Sequence, residues 1–64
     1  MYKNLEAEFR RSNITRADVA EAMSINIATV SEKLTKPNRL KLSEAFKIKQ
    51  HFFPELSLEY LFAE

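Results

Sequence analysis

The 64-residue chain contains no glycine. Glycine is the residue that reaches positive φ without steric cost, so every tight backbone feature must be built from something else. Two-residue hairpins lean on glycine, and β-branched runs are few here, so an all-β fold is disfavoured. Phosphate-cradling loops of the Walker or dinucleotide type need glycine for close backbone approach, and they are absent. Cysteine is also missing, which leaves no disulfide framework and no thiolate metal site. One histidine, His51, and one aspartate, Asp18, offer little for acid–base or metal chemistry. No nucleophile–base pair is visible, so an enzyme is not expected, nor a metal, cofactor or small-molecule ligand.

A chain of this length makes one small domain that buries about 60% of its unfolded surface. The balance of 45% hydrophobic and 30% charged residues is that of a globular domain. The longest apolar run, Tyr60–Ala63, is far short of a membrane span, and no basic start with an apolar stretch marks a signal peptide. The expectation is a soluble, cytoplasmic, all-α domain.

The net charge of +1 hides an asymmetry. Residues 33–51 carry Lys33, Lys36, Arg39, Lys41, Lys47 and Lys49 against Glu44 alone, whereas residues 52–64 carry only acids. A basic middle can mark a phosphate-contacting surface. It is equally the composition of an ordinary solvated helix face.

Hydrophobic spacing predicts five short helices. The first runs from Leu5 to Ser12, with Asn4 available as N-cap and Leu5 and Phe9 on one face. Asn13 is a plausible stop, because asparagine tolerates the left-handed conformation that ends helices. The second spans Arg16 to Met23, capped by Thr15 with Asp18 three residues on, and carries a stripe of Val19, Ala20 and Met23. Ile14 and Val19 fit a hydrophobic staple. The third begins at Ile27 behind the N-cap Asn26, turns Val30 and Leu34 inward, and ends between Leu34 and Lys36, before Pro37 and Asn38. The fourth covers Leu42 to Phe52 with a stripe of Leu42, Ala45, Ile48 and Phe52, and Pro54 ends it. Ser57 caps the last, Leu58 to Phe62.

The informative segment is Ile14–Leu34, ITRADVAEAMSINIATVSEKL. An eight-residue helix, a turn at Ser24–Asn26 and a second helix follow one another. Ala20 is small enough to let the second helix approach closely, and Ile25 plugs the junction. Such a pair leaves the outer face of the second helix free, and a helix of that width fits a DNA major groove.

These residues resemble the Cro/CI-type (XRE-like) helix–turn–helix regulators, most nearly the very small phage-associated members of Firmicutes. The resemblance covers nearly the whole chain: the opening MYKNLEAEFRRSNIT, the core DVAEAMSINIATVSEKL and the ending EA-x-x-IK-x-x-FFP-x-LSLEYLF. It implies a compact five-helix lambda-repressor-like DNA-binding domain with a helix–turn–helix, which binds a double-stranded operator as a homodimer and controls transcription. Three positions depart from the pattern. Arg16 stands where glutamine is usual, Ser24 where the turn has glycine, and Lys41 where the fourth helix starts with threonine. A Ser24 forced to positive φ would cost on the order of 1 kcal/mol.

By register, Ile27, Ala28, Thr29, Ser31, Glu32 and Lys33 project from the start or outer side of the third helix and are the candidates for base contact. Ala28 and the Thr29 methyl suit a thymine methyl, Glu32 a cytosine amine, and Lys33 a guanine or a phosphate. Glu32 is alternatively an i, i+4 partner for Lys36. Arg16, Asn26, Lys36, Asn38, Arg39 and Lys41 are the candidates for phosphate contact. A spare aromatic edge of Phe46, Phe53, Tyr60 and Phe62 is the candidate dimer interface. Glu32 on the reading face, the low net charge and the spare aromatics also suit a different role. In it the fold binds another phage repressor as an antagonist.

Overall fold

The computed structural model describes residues 2–36 and 39–63. Among them are five α-helices and no strand: α1 (Lys3–Arg11), α2 (Arg16–Met23), α3 (Ile27–Thr35), α4 (Leu42–Phe52) and α5 (Leu58–Leu61). Pro37 and Asn38, expected to break the chain after α3, lie outside the described residues. None of the helices is long and apolar enough to cross a membrane.

The missing glycines show at two helix ends. Asn13 and Ser24 both take positive φ, at 58° and 57°. After α1, the Asn13 N–H donates to Arg10 O and the Ile14 N–H to Phe9 O. After α2, the Ser24 N–H donates to Glu21 O and the Ile25 N–H to Ala20 O. Both are Schellman closures, which satisfy orphan carbonyls through one left-handed residue. Serine pays a left-handed penalty of roughly 1–2 kcal/mol. That exceeds the extra chain entropy glycine carries, about 0.4–1 kcal/mol. Ser24→Gly is therefore expected to raise the melting temperature by about 2–5 °C in a thermal scan; a lower value would mean the strain is absent.

The α2 start is a full capping box, with Asp18 N–H donating to Thr15 Oγ1 at 3.1 Å and Thr15 N–H donating to Asp18 Oδ2 at 2.9 Å. Asn26 Oδ1 accepts from the Ala28 N–H at 2.7 Å and starts α3. α1 differs from expectation. It begins two residues earlier, behind Tyr2, and Asn4 does not cap it. The Asn4 amide instead donates to Tyr60 O at 2.8 Å, satisfying a carbonyl that the short α5 cannot pair.

Leu5, Val19, Val30, Leu34, Ile48 and Leu61 are the fully buried centre of the core. α2 packs on α3 and α4, and α5 packs on α1 and α4. Phe9 stacks against Phe52 and Phe53 at 6.0 and 5.7 Å between ring centroids. Leu42 does not join the α4 stripe and is 76% exposed. It is the first residue of α4, about 60° around the helix from Ala45 and 120° from Ile48. Leu40, just before the helix, packs against the core in its place.

Candidate functional site

Two fixed points set the attitude of α3. Its N-terminus is held by the Ser24 closure and the Asn26 cap, and its inner face is held by Val30 and Leu34, each 1% exposed. The outer face carries Ala28, Glu32, Thr35 and Lys36, all exposed, with Thr29 and Ser31 half-buried at its flanks. Ile27 is 49% exposed at the first turn. The Thr35 hydroxyl donates back to Ser31 O at 2.8 Å, which keeps it on the helix.

Lys33 does not join the candidate base readers. Its ammonium lies 3.1 Å from Glu44 Oε2 and donates to Arg39 O at 3.4 Å. The reason is the partner: Glu44 of α4 draws the ammonium, and the Lys33 side chain is only 18% exposed. Glu44 is thereby held from two sides. It accepts the Lys41 backbone N–H at 2.9 Å and the Lys33 ammonium at 3.2 Å. The Lys41 ammonium has no acceptor for the Glu44 N–H, so α4 carries only the reciprocal half of a capping box, in which Glu44 accepts the Lys41 N–H.

The Lys41 N–H holds the Glu44 carboxyl below its ordinary value of 4.5; burial opposes it, and the Lys33 ammonium adds to the lowering. A depressed carboxylate adds stability above its unfolded pKa and loses it as pH falls through the folded one. Glu44→Gln should lower stability at pH 7 by about 1 kcal/mol. The gap to the unsubstituted protein should close below pH 4 in paired thermal scans. A gap that is constant with pH would mean the charge is irrelevant.

The candidate phosphate contacts divide into two groups. Lys36 and Lys41 are exposed, with no ion pair among the described residues. Arg39 faces Glu32 at 3.9 Å, with the side chains 58% and 48% exposed, so Glu32 has Arg39 and not Lys36 as its partner. Arg16 is bound tightly, its Nη2 2.8 Å from Glu6 Oε2 of α1. Asn26 is exposed and its side-chain oxygen is engaged as a cap. Asn38 lies outside the described residues.

The aromatic edge is redistributed. Phe53 is 7% exposed and belongs to the core. It lies past the end of α4 with φ −138° and ψ 60°, so helical spacing from Phe46 does not fix its direction. Phe62 meets Tyr2 edge-on at 5.1 Å and is half-buried. The large apolar groups that stay outside are Leu42 at 76%, Ile27 at 49%, Phe46 at 47% and Tyr60 at 39%. Tyr60 is anchored, its hydroxyl donating to the buried Glu8 Oε2 at 2.7 Å, where Arg11 Nη1 also reaches at 3.1 Å. The hydrogen bond to Glu8 raises the phenol above its ordinary value. Glu8 is a buried acid that joins α1 to α5 through the Tyr60 hydroxyl. Its only signal in the sequence was its place one turn from Leu5 on the apolar face of α1. His51 packs edge-on to Phe52 at 4.6 Å.

Comparison with protein-family models, with curated proteins and with solved structures found no match to this chain.

Proposed function

We propose that the chain is a sequence-specific DNA-binding regulator of transcription of the Cro/CI helix–turn–helix type, with residues 27–36 entering the major groove. The observation that carries this reading is the exposed outer face of α3, braced by α2 and followed at its C-terminal end by exposed cations. Ile27, Ala28, Thr29, Ser31 and Glu32 are the base readers, and Lys36, Arg39 and Lys41 hold phosphates. The partners are double-stranded operator DNA and a second copy of the chain, which uses Leu42 and Phe46, one turn apart on α4. The setting is the cytoplasm, and no cofactor is involved.

A second reading, the antagonist of another repressor, is favoured by one feature. Arg16 and Lys33 face carboxylates, which leaves the half-exposed Ile27 beside fewer unpaired cations than a DNA surface normally carries. Fluorescence anisotropy against the intergenic DNA flanking the gene separates the two. Lys36→Ala should weaken binding to every sequence and flatten the salt slope by about one unit. Thr29→Ala should instead relax preference at one base position. Sedimentation of the same samples should show a dimer. No salt-dependent DNA binding, with a stoichiometric complex on a purified phage repressor, would move the conclusion to the second reading.

A further inference from the structure

The entrance to α2 carries a feature that the proposed function does not use. Arg16 is the first residue of α2, and its guanidinium is pinned to Glu6 at 2.8 Å. The two side chains are 31% and 21% exposed, against 58% and 48% for the looser Arg39–Glu32 pair. The other terminal nitrogen, Arg16 Nη1, is buried with no hydrogen-bond partner. A buried donor without an acceptor costs free energy. The seat is therefore not a complete set of partners, and the Glu6 carboxylate is what holds the guanidinium in it. Beside it lies a cleft of about 240 Å³ lined by Glu6, Phe9, Arg10, Ile14, Thr15 and Arg16. Its charged groups are two arginines and one glutamate.

We propose that Glu6 limits the affinity of this protein for nucleic-acid phosphate, by holding Arg16 in an intramolecular pair at the start of α2. The inference rests on the DNA-binding reading. A phosphate arriving at this edge of the domain meets an arginine whose charge is already matched by a carboxylate. Exchange of one anion for the other gains little, because the departing pair is partly desolvated and short. Without the Glu6 charge, the unpaired Nη1 gives Arg16 a reason to leave its seat. The cleft then presents Arg10 and Arg16 together, next to the backbone N–H groups of the first turn of α2. Asp18 caps α2 through the Thr15 N–H, and among the described residues the ion-pair partner of Arg16 is Glu6.

The experiment is a salt titration of binding to the same intergenic duplex, by fluorescence anisotropy, for the unsubstituted protein and four variants. Glu6→Gln removes the charge, and Glu6→Ala also removes the hydrogen-bond acceptor. Glu55→Gln removes a charge from an exposed acid elsewhere and reports the general effect of net charge. The fourth combines Glu6→Gln with Arg16→Ala. Circular dichroism establishes that each is folded at the temperature used. Releasing one cation to phosphate should tighten binding about three- to tenfold near 0.1 M salt and steepen the salt slope by about one unit. Both Glu6 variants should show this gain, Glu55→Gln should not, and the double variant should lose it. Binding by the Glu6 variants alone would also support the proposal. A Glu6→Gln gain no larger than that of Glu55→Gln, or one that survives Arg16→Ala, would overturn it while leaving the DNA-binding reading in place. Absence of salt-dependent binding in every protein would remove both.

Discussion

Leu61→Ala is expected to unfold a large part of the protein at 37 °C. Leu61 is 0% exposed, yet it belongs to a helix of only four residues. An isolated helix that short has no stability of its own, because nucleation is unfavourable and few bonds follow. α5 is therefore held by what it touches. Ser57 caps it through the Tyr60 N–H, Asn4 ties down its Tyr60 carbonyl, and the Tyr60 hydroxyl reaches Glu8. Leu61 is the apolar plug that docks it on α1 and α4. Truncating a fully buried leucine costs about 2–5 kcal/mol. A domain of this size has a total stability near the lower end of the 5–15 kcal/mol range. A fall in melting temperature of roughly 10–30 °C follows. Glu59→Ala is the control, a truncation to alanine at an exposed side chain of the same helix. It should stay within about 0.5 kcal/mol of the unsubstituted protein. Equal melting of the two variants in a circular dichroism scan would show that α5 is not docked as described.

The helices were legible because their signals are local. Thr15 and Asp18, Asn26, and Ser57 announce starts within three residues, and the structure places α2, α3 and α5 at those starts. Asn13 announces a stop for the same reason, because asparagine enters the left-handed region more cheaply than most residues; the left-handed Ser24 carries no such signal of its own and is expected only from the resemblance. What a single sequence does not carry is the choice of distant partner. Arg16 reaches back ten residues to Glu6, Lys33 reaches forward eleven to Glu44, and Tyr60 reaches 52 residues to Glu8. Those choices decide which cations of the candidate site face outward. Periodicity also fails at helix ends. Leu42 at the start of α4 and Phe53 just past its end were assigned by spacing, and each lies on the opposite side of the surface from that assignment. The outer face of α3 was readable because Val30 and Leu34 mark the inner one. The charge state of that face was not, because it depends on residues of α1 and α4.

Ala20→Leu should separate folding from the geometry of that face. Ala20 lies on the buried side of α2, 8% exposed, where α2 packs on α3. Its carbonyl also accepts the Ile25 N–H at 3.0 Å, so it is part of the turn that aims α3. A leucine adds three carbons at this buried position of α2. Overpacking of this kind costs about 1–3 kcal/mol, through shifted backbones and side chains off their preferred rotamers. The melting temperature should fall by roughly 5–20 °C. Cooling brings the variant back into its folded range, and binding can then be read there. If α3 is the element that docks, pushing it outward misplaces the helix that reads DNA. Affinity at 10 °C should then drop at least tenfold, as expected when base contacts of about 1–3 kcal/mol each are lost. Ala17→Leu, on the exposed side of the same helix, should leave the melting temperature nearly unchanged. A folded Ala20→Leu protein that binds duplex as tightly as the unsubstituted chain would mean that the spacing of α2 and α3 does not position the binding surface.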